Sequence, residues 1–303
     1  MRVLVTGGHG FLGGHVCDEL RRRGHHVFAP RSHEFDLREP SQARGAVYES
    51  HAEAVVHLAA RVGGIGANVE HPGSFFYDNA VMGIHLMEEA RLAGVAKFLT
   101  VGTGCAYPER GPMPQSEDAL WDGYPAQETA PYAMAKKMLL VQSQAYRSEY
   151  GFNAVYLIPT NLYGPRDSFD PEHGHAVPSI IRKVVEAVQQ RSSTVELWGT
   201  GLATRDFLYV EDAARGIVKA LDRYDGRQPM NLGSGVETPI VELAGAIAGV
   251  CGYGGAFEWS TDRPDGQPRR WLDTRYAESQ IGFKPKVALE DGLRRTVEWW
   301  AES

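Results

Sequence analysis

The first thirteen residues restrict this chain more than any other stretch. Arg2-Val3-Leu4-Val5-Thr6 is a short apolar run. Gly7-Gly8-His9-Gly10-Phe11-Leu12-Gly13 follows at once, and Val16 and Leu20 then share one face of a helix. Glycines at 7, 10 and 13 let backbone approach a pyrophosphate closely, and the helix N-terminus adds free N–H groups and a positive dipole end. Glycine spacing alone is a weak signal, but a strand before it and a helix after it give it meaning. The other reading is a tight turn that holds nothing.

Further apolar runs alternate with helical patterns: Val27-Phe28-Ala29, then 54–60, 97–101 and 154–158, with helices predicted over 80–92 and 133–150. Strands alternating with helices predict an α/β fold, a doubly wound parallel sheet of Rossmann type with right-handed crossovers. The pattern changes after Gly164-Pro165. A loop rich in Asp, Gly and His leads to a helix from about Pro178, strands near 195–198 and 207–210, and Thr238-Pro239, read as an N-cap with Pro in the first turn. Two closely packed parts with a cleft between them are expected. A dinucleotide-binding domain covers 1–165 plus about 206–235. A smaller mixed α/β domain for the substrate covers about 166–205 and 236–303.

Composition narrows the setting. Of 303 residues, 43% are hydrophobic and 23% charged, which excludes disorder as the main state and allows a sizeable core. A net charge of −7 argues against a nucleic-acid or anionic-membrane partner. Cys17, Cys105 and Cys251 are odd in number, widely spaced and form no CxxC, so neither a disulfide framework nor a metal site is expected. No signal-peptide pattern opens the chain. The apolar, glycine-rich stretch 243–257 falls short of the ~20 apolar residues of a membrane span. These features predict a soluble, cytoplasmic protein.

Cofactor choice turns on the end of the second strand. It reads Ala29-Pro30-Arg31-Ser32, with no acid to hold the ribose hydroxyls of NAD. Arg31 suits a 2′-phosphate and favours NADP(H), the alternative being a solvated surface charge. Asp36-Leu37 falls near the adenine, and Leu58-Ala59-Ala60 offers small residues where a cofactor can lie close. Tyr132 and Lys136, four apart, share one helix face; Lys137 points well around it. An ammonium beside a Tyr stabilises the phenolate and suits it to acid–base work. Such a pair is more often plain surface, but its place after the fourth strand favours function.

Taken in order, the glycine pattern, Leu58-Ala59-Ala60, Asn79, Thr103, Tyr132 with Lys136, and Asn161-Leu162-Tyr163-Gly164-Pro165 resemble the extended short-chain dehydrogenase/reductase family. A more specific resemblance, over nearly the whole chain, is to the branch that makes GDP-L-fucose from GDP-4-keto-6-deoxy-D-mannose. It rests on Ala60-Arg61-Val62-Gly63-Gly64-Ile65, Gly102-Thr103-Gly104-Cys105-Ala106-Tyr107-Pro108, Gly174-His175-Ala176-Val177-Pro178, Leu197-Trp198-Gly199-Thr200-Gly201 and Pro264-Asp265-Gly266-Gln267-Pro268-Arg269-Arg270.

The resemblance implies an NADPH-dependent epimerisation at C3 and C5 followed by reduction at C4. It places Tyr132 on the C4 oxygen with Lys136 tuning it and Thr103 assisting, and makes Cys105 the base and His175 the acid of epimerisation. It adds His9, Phe11, Leu12, Pro159, Asn161, Leu162 and His175, with Tyr132 and Lys136, to the cofactor site. Val62, Asn161, Lys183, Trp198, Arg205 and Asp265 fall around a GDP-sugar, and a homodimer through the helices near Asn79 and Tyr132 is implied. A thiol base needs a cationic neighbour, and Lys136 or His175 is the expected one. Other readings stay open: Cys105 as a small buried hydrophobe, His175 as a loop histidine, Trp198 as a core aromatic, Arg269 and Arg270 as a solvated pair. The branch usually has Ser at the Thr103 position and often at Gly104, a departure that bears on substrate. The runner-up function is therefore a related NAD(P)-dependent epimerase or 4-ketoreductase on another deoxysugar or heptose nucleotide. A non-catalytic dinucleotide sensor is the third, disfavoured because Tyr132 and Lys136 are both kept.

Overall fold

The computed structural model describes residues 1–170, 174–262 and 266–302. The chain runs β1 (Arg2–Thr6), α1 (Phe11–Arg22), β2 (His26–Phe28), α2 (Pro40–Ser50), β3 (Ala54–His57), α3 (Ile65–Glu70), α4 (Pro72–Leu92), β4 (Lys97–Val101), α5 (Ala130–Tyr150), β5 (Ala154–Pro159) and β6 (Asn161–Tyr163). It continues with α6 (Ala176–Gln190), β7 (Thr194–Trp198), β8 (Thr204–Arg205), β9 (Phe207–Tyr209), α7 (Val210–Arg223), β10 (Met230–Leu232), β11 (Thr238–Pro239), α8 (Ile240–Cys251), β12 (Ala256–Ser260), β13 (Arg269–Arg270), α9 (Arg275–Ile281) and α10 (Leu289–Glu302).

Six strands form one sheet in the order β10-β5-β4-β3-β1-β2, and every pair is parallel. Strands β3, β4 and β5 are buried along their whole length, as a sheet covered on both faces requires. Val3, Val5, Val16, Leu20, Ile217 and Leu221 fill the face under α1 and α7. Leu4, Val55, Leu86 and Phe98 fill the opposite face. The chain leaves β1 toward β2 on one side and returns to β3 on the other. That reversal opens a crevice at the carboxyl ends of β1 and β3, where ligands of such sheets bind.

The remaining elements build a second core. β7 pairs with β12 in parallel, and Val177, Ile180, Ile181 and Val184 of α6 meet Leu243, Ala244 and Ile247 of α8. Spacings of three and four put those α6 residues on one helix face. A small sheet, β11-β8-β13, joins the two parts. Here the structure corrects a reading of the sequence. Thr238 does not cap a helix: its backbone pairs with Arg205 across antiparallel strands, and α8 begins only at Ile240, with Pro239 extended before it. Among the described residues no helix is long and apolar enough to cross a membrane.

Helices α4 and α5 meet where α4 has no side chain, at Gly83. A Cβ there would overlap the fully buried Leu139, which the surrounding core holds in place. Gly83→Val is expected to lower stability by ~1–3 kcal/mol through overpacking. The urea midpoint should fall with an unchanged slope.

Candidate active site

The turn after β1 fits a dinucleotide. Gly7 has φ +72°, and a Cβ on it would lie 2.7 Å from the Ala59 nitrogen. A Cβ on Gly13 would overlap the Gly7 carbonyl oxygen, which also accepts the Gly10 N–H at 3.0 Å. Gly10 sits at the N-cap of α1 and makes no side-chain cap there, which leaves that end of the helix to a ligand. His9 Nε2 lies 2.9 Å from the Ala29 carbonyl and ties the turn to β2. Phe11 and Leu12 begin α1.

The rest of this groove differs in detail from the sequence reading. Arg21 and Arg166, which the sequence did not single out, line it together with Gly8, Gly10 and Ala29. Arg166 comes from the loop after β6 and pairs with Asp18 at 2.9 Å. Arg31 is exposed beyond β2, its N–H bonded to Glu34. Asp36 is held by Arg38, whose guanidinium keeps the carboxyl below its usual range. The Leu37 side chain is buried in the core under α4. Leu58, Ala59 and Ala60 follow β3 beside Gly7, and the Leu58 N–H donates to the Thr6 carbonyl. Asn79 is buried and braces the next loop: its Oδ1 accepts the Arg61 N–H, and its Nδ2 donates to the Arg61 and Phe75 carbonyls.

A second pocket opens at the carboxyl ends of β4 and β5. Thr103, Cys105, Pro159, Asn161 and Arg270 line it. The Thr103 hydroxyl accepts the Cys105 N–H at 3.1 Å, which fixes the short turn carrying the thiol. Tyr132 and Lys136 come from the first turns of α5. Lys136 is buried, and burial alone brings its ammonium down to about 8. Lys137 instead leaves the site, donates to the Leu120 carbonyl at 2.6 Å and covers the Trp121 ring. Burial raises the Tyr132 phenol above its ordinary range, the Cys105 charge adds to this, and a hydrogen bond with Thr103 works the other way. The phenol is therefore protonated at neutral pH, where the sequence led us to expect a lowered value.

The cation beside Cys105 is also not the expected one. Arg270 donates through Nη1 to Cys105 Sγ at 3.3 Å and through Nη2 to Asn161 Oδ1 at 2.9 Å. Burial would raise the thiol, but Arg270, the Thr103 hydrogen bond and Arg205 outweigh it, so the thiol falls below its usual value. Arg269, the neighbour in sequence, is solvated and forked onto Glu237. Only half of the arginine pair is thus a surface charge.

His175 sits at the N-cap of α6, half-exposed, with Nδ1 3.7 Å from Asp167 Oδ1. The Asp167 carboxylate raises the imidazole above its usual value, against some loss from burial. Further out, Lys183 donates to the Glu196 carbonyl and lies 5.8 Å from the centre of the exposed Trp198 ring. Trp198 is not a core residue. Arg205 Nη1 donates to the Thr204 and Gln267 carbonyls. Val62 is exposed and Leu162 is partly buried. Asp265 lies outside the described residues.

The fold and site define a nucleotide-binding α/β protein with a Tyr–Lys pair, and the comparisons agree. The chain belongs to the NAD dependent epimerase/dehydratase family, whose model matches residues 3–233. It is 37% identical to a probable GDP-L-fucose synthase 1 of Oryza sativa subsp. japonica over all of this chain and 92% of that one. It is also 37% identical to the GDP-L-fucose synthase of Sinorhizobium fredii, over 98% of this chain and 94% of that one. A GDP-L-fucose synthetase from Naegleria fowleri bound to NADP superposes with a TM-score of 0.90 at 28% identity, covering 99% and 92% of the two chains.

Because the Gly13 contact is with backbone, Gly13→Ala is expected to weaken NADPH binding at least ~10-fold. Fluorescence titration of NADPH checks this, with circular dichroism to confirm that the fold is kept.

Proposed function

We propose that the protein is an NADPH-dependent epimerase–reductase that converts GDP-4-keto-6-deoxy-D-mannose to GDP-L-fucose. The observation that carries this reading is Cys105. A ketoreductase needs Thr103, Tyr132 and Lys136, but it has no use for an ionisable thiol two residues from Thr103 and gripped by a guanidinium. Epimerisation does need one. The protons at C3 and C5 flank the C4 ketone, so removing either leaves an enolate.

Tyr132, protonated at neutral pH, donates a hydrogen bond to the C4 oxygen and stabilises that enolate. Cys105, as thiolate, takes the proton from carbon, and the C–H electron pair becomes the enolate π-bond. His175, as imidazolium, returns a proton to the other face and inverts the centre. NADPH, when bound, would supply the hydride for C4. Tyr132 then gives its phenolic proton to the alkoxide, with Lys136 and Thr103 holding the phenol in place.

The glycine turn and the N-terminus of α1 hold the pyrophosphate of NADPH, with His9, Phe11 and Leu12 along it. Arg31 takes the 2′-phosphate, and Asp36 and Leu37 border the adenine. Ala59, Ala60, Pro159, Asn161 and Leu162 pack along the nicotinamide half. Residues about 166–205 and 236–303 form the nucleotide-sugar part, in which Lys183 and Arg205 neutralise the diphosphate and Trp198 borders the base, with Val62 of the dinucleotide-binding domain facing the sugar. Outward faces of α4 and α5 expose Tyr77, Leu92, Val141 and Tyr150, which supports a homodimer through these helices. Three free cysteines suit the reducing cytoplasm.

The test follows NADPH absorbance with this keto sugar and identifies the product by NMR. The wild-type protein should make GDP-L-fucose. Tyr132→Phe should lower kcat by ~10²–10⁴-fold. Cys105→Ser should still consume NADPH but yield the unepimerised 6-deoxyhexose. A wild-type protein that consumes NADPH only with another nucleotide sugar would overturn the assignment.

A further inference from the structure

We infer that Arg270 and Asp167 are positioning residues that preset the two acid–base groups of epimerisation, Arg270 holding Cys105 as the thiolate and Asp167 holding His175 as the imidazolium. This rests on the function proposed above.

The geometry starts with Arg270. Its strand β13 is only two residues long, but it is locked in register to β8, with Arg270 paired to Arg205. The Arg270 carbonyl accepts the Asp206 N–H, and its guanidinium divides between Cys105 Sγ and Asn161 Oδ1. Asn161 is itself fixed by donating to the Asp206 carbonyl at 2.9 Å. The cation is therefore aimed at sulfur by backbone pairing on one side and by a braced amide on the other. Among the described residues the other groups that act on Cys105 are Arg205 from β8, Thr103 on its own turn and the neutral Tyr132 phenol of α5. None of them places a negative charge there.

Asp167 mirrors this arrangement on the opposite partner. Its carboxylate is buried, and Oδ1 accepts the Ser168 N–H at 2.8 Å while facing His175 Nδ1. Among the described residues its Oδ2 is buried with no hydrogen-bond partner. A buried carboxylate with an unpaired oxygen is costly unless a cation stands beside it, and His175 is the group in ion-pair contact. Against it works the N-terminus of α6, whose dipole disfavours a cation at the cap. Arg182 and Lys183 lie two turns further along the same helix.

A base must start deprotonated and its partner acid protonated. Without these two residues an ordinary thiol and an ordinary imidazole would favour the reverse near neutral pH. Environments that push two groups apart in this way fix which is the acid and which the base.

The two halves predict opposite pH signatures. Cys105 ionises above its pKa, so losing Arg270 moves the acid limb up. His175 stays charged below its pKa, so losing Asp167 moves the alkaline limb down. Both are read without substrate on the intact protein. Iodoacetamide labelling of Cys105 and diethylpyrocarbonate labelling of His175 are followed against pH by peptide mass spectrometry.

In Arg270→Gln the Cys105 midpoint should rise by about 1–3 pH units, and Arg270→Lys should recover part of it. In Asp167→Asn the His175 midpoint should fall by a comparable amount. Each variant should leave the other group's midpoint in place, and equal melting temperatures certify the fold. Unmoved midpoints in folded variants would overturn the inference, and so would a loss that Arg270→Lys fails to recover. Midpoints that move as stated in a protein inert toward GDP-4-keto-6-deoxy-D-mannose would leave the presetting intact and sink the substrate assignment instead. With substrate, the kcat/KM profile for epimerisation should narrow from the acid side in Arg270→Gln and from the alkaline side in Asp167→Asn.

Discussion

One buried carboxylate, Asp206, organises the junction on which the pocket depends. Its Oδ1 accepts the backbone N–H and hydroxyl of Ser234, and its Oδ2 faces the N–H groups of Gly235 and Leu272. Its own N–H donates to the Arg270 carbonyl, and its carbonyl accepts the Thr160 hydroxyl and the Asn161 amide. Burial raises this carboxyl, and the donors around it pull the other way. The arrangement joins the end of β5, the loop after β10 and strand β13 in one place. Removing the side chain would leave the buried Leu272 N–H unpaired, at a cost of ~1–3 kcal/mol, and free Ser234 and Gly235 to water. Asp206 touches no reacting group in the proposed chemistry, but its main-chain N–H and carbonyl hold Arg270 and Asn161.

Much of the architecture is legible in the sequence because it is local. The β1 turn needs glycine at positions 7 and 13 for steric reasons that the spacing already announces, and strand Lys97–Val101 ends where its apolar run ends. Tyr132 and Lys136 are four apart on a helix, so their common face follows from helix geometry alone. The Thr238-Pro239 misreading shows the limit. Proline in a first turn is a good local signal, but a strand 33 residues earlier claims Thr238 for a ladder, and tertiary pairing overrides local preference.

Arg270 was illegible for the same reason. Two adjacent arginines look alike in sequence and read as one solvated pair. In a strand, neighbours face opposite sides. Arg269 therefore reaches out to Glu237 while Arg270 reaches in to Cys105. The alternation becomes visible only once β13 is known to pair with β8, some sixty-five residues away. Asp167 has a weaker signal still: it sits in a Gly-Pro-Arg-Asp loop where an acid is unremarkable, and its partner His175 lies further along the chain.

The electrostatics also couple the two halves of the proposed reaction. Burial and the Cys105 charge both hold the Tyr132 phenol above its ordinary range. While Cys105 is a thiolate, Tyr132 is thus a hydrogen-bond donor to the C4 oxygen, which is the form that enolate formation requires. Once the thiolate has taken a proton from carbon, that Coulombic contribution disappears and the phenol becomes a stronger acid. Its proton then moves more readily to an oxygen carrying negative charge. One tyrosine can serve both steps because in each the oxygen it faces carries developing negative charge. A separate residue for each step would have to share the small pocket that Thr103, Asn161 and Arg270 already line.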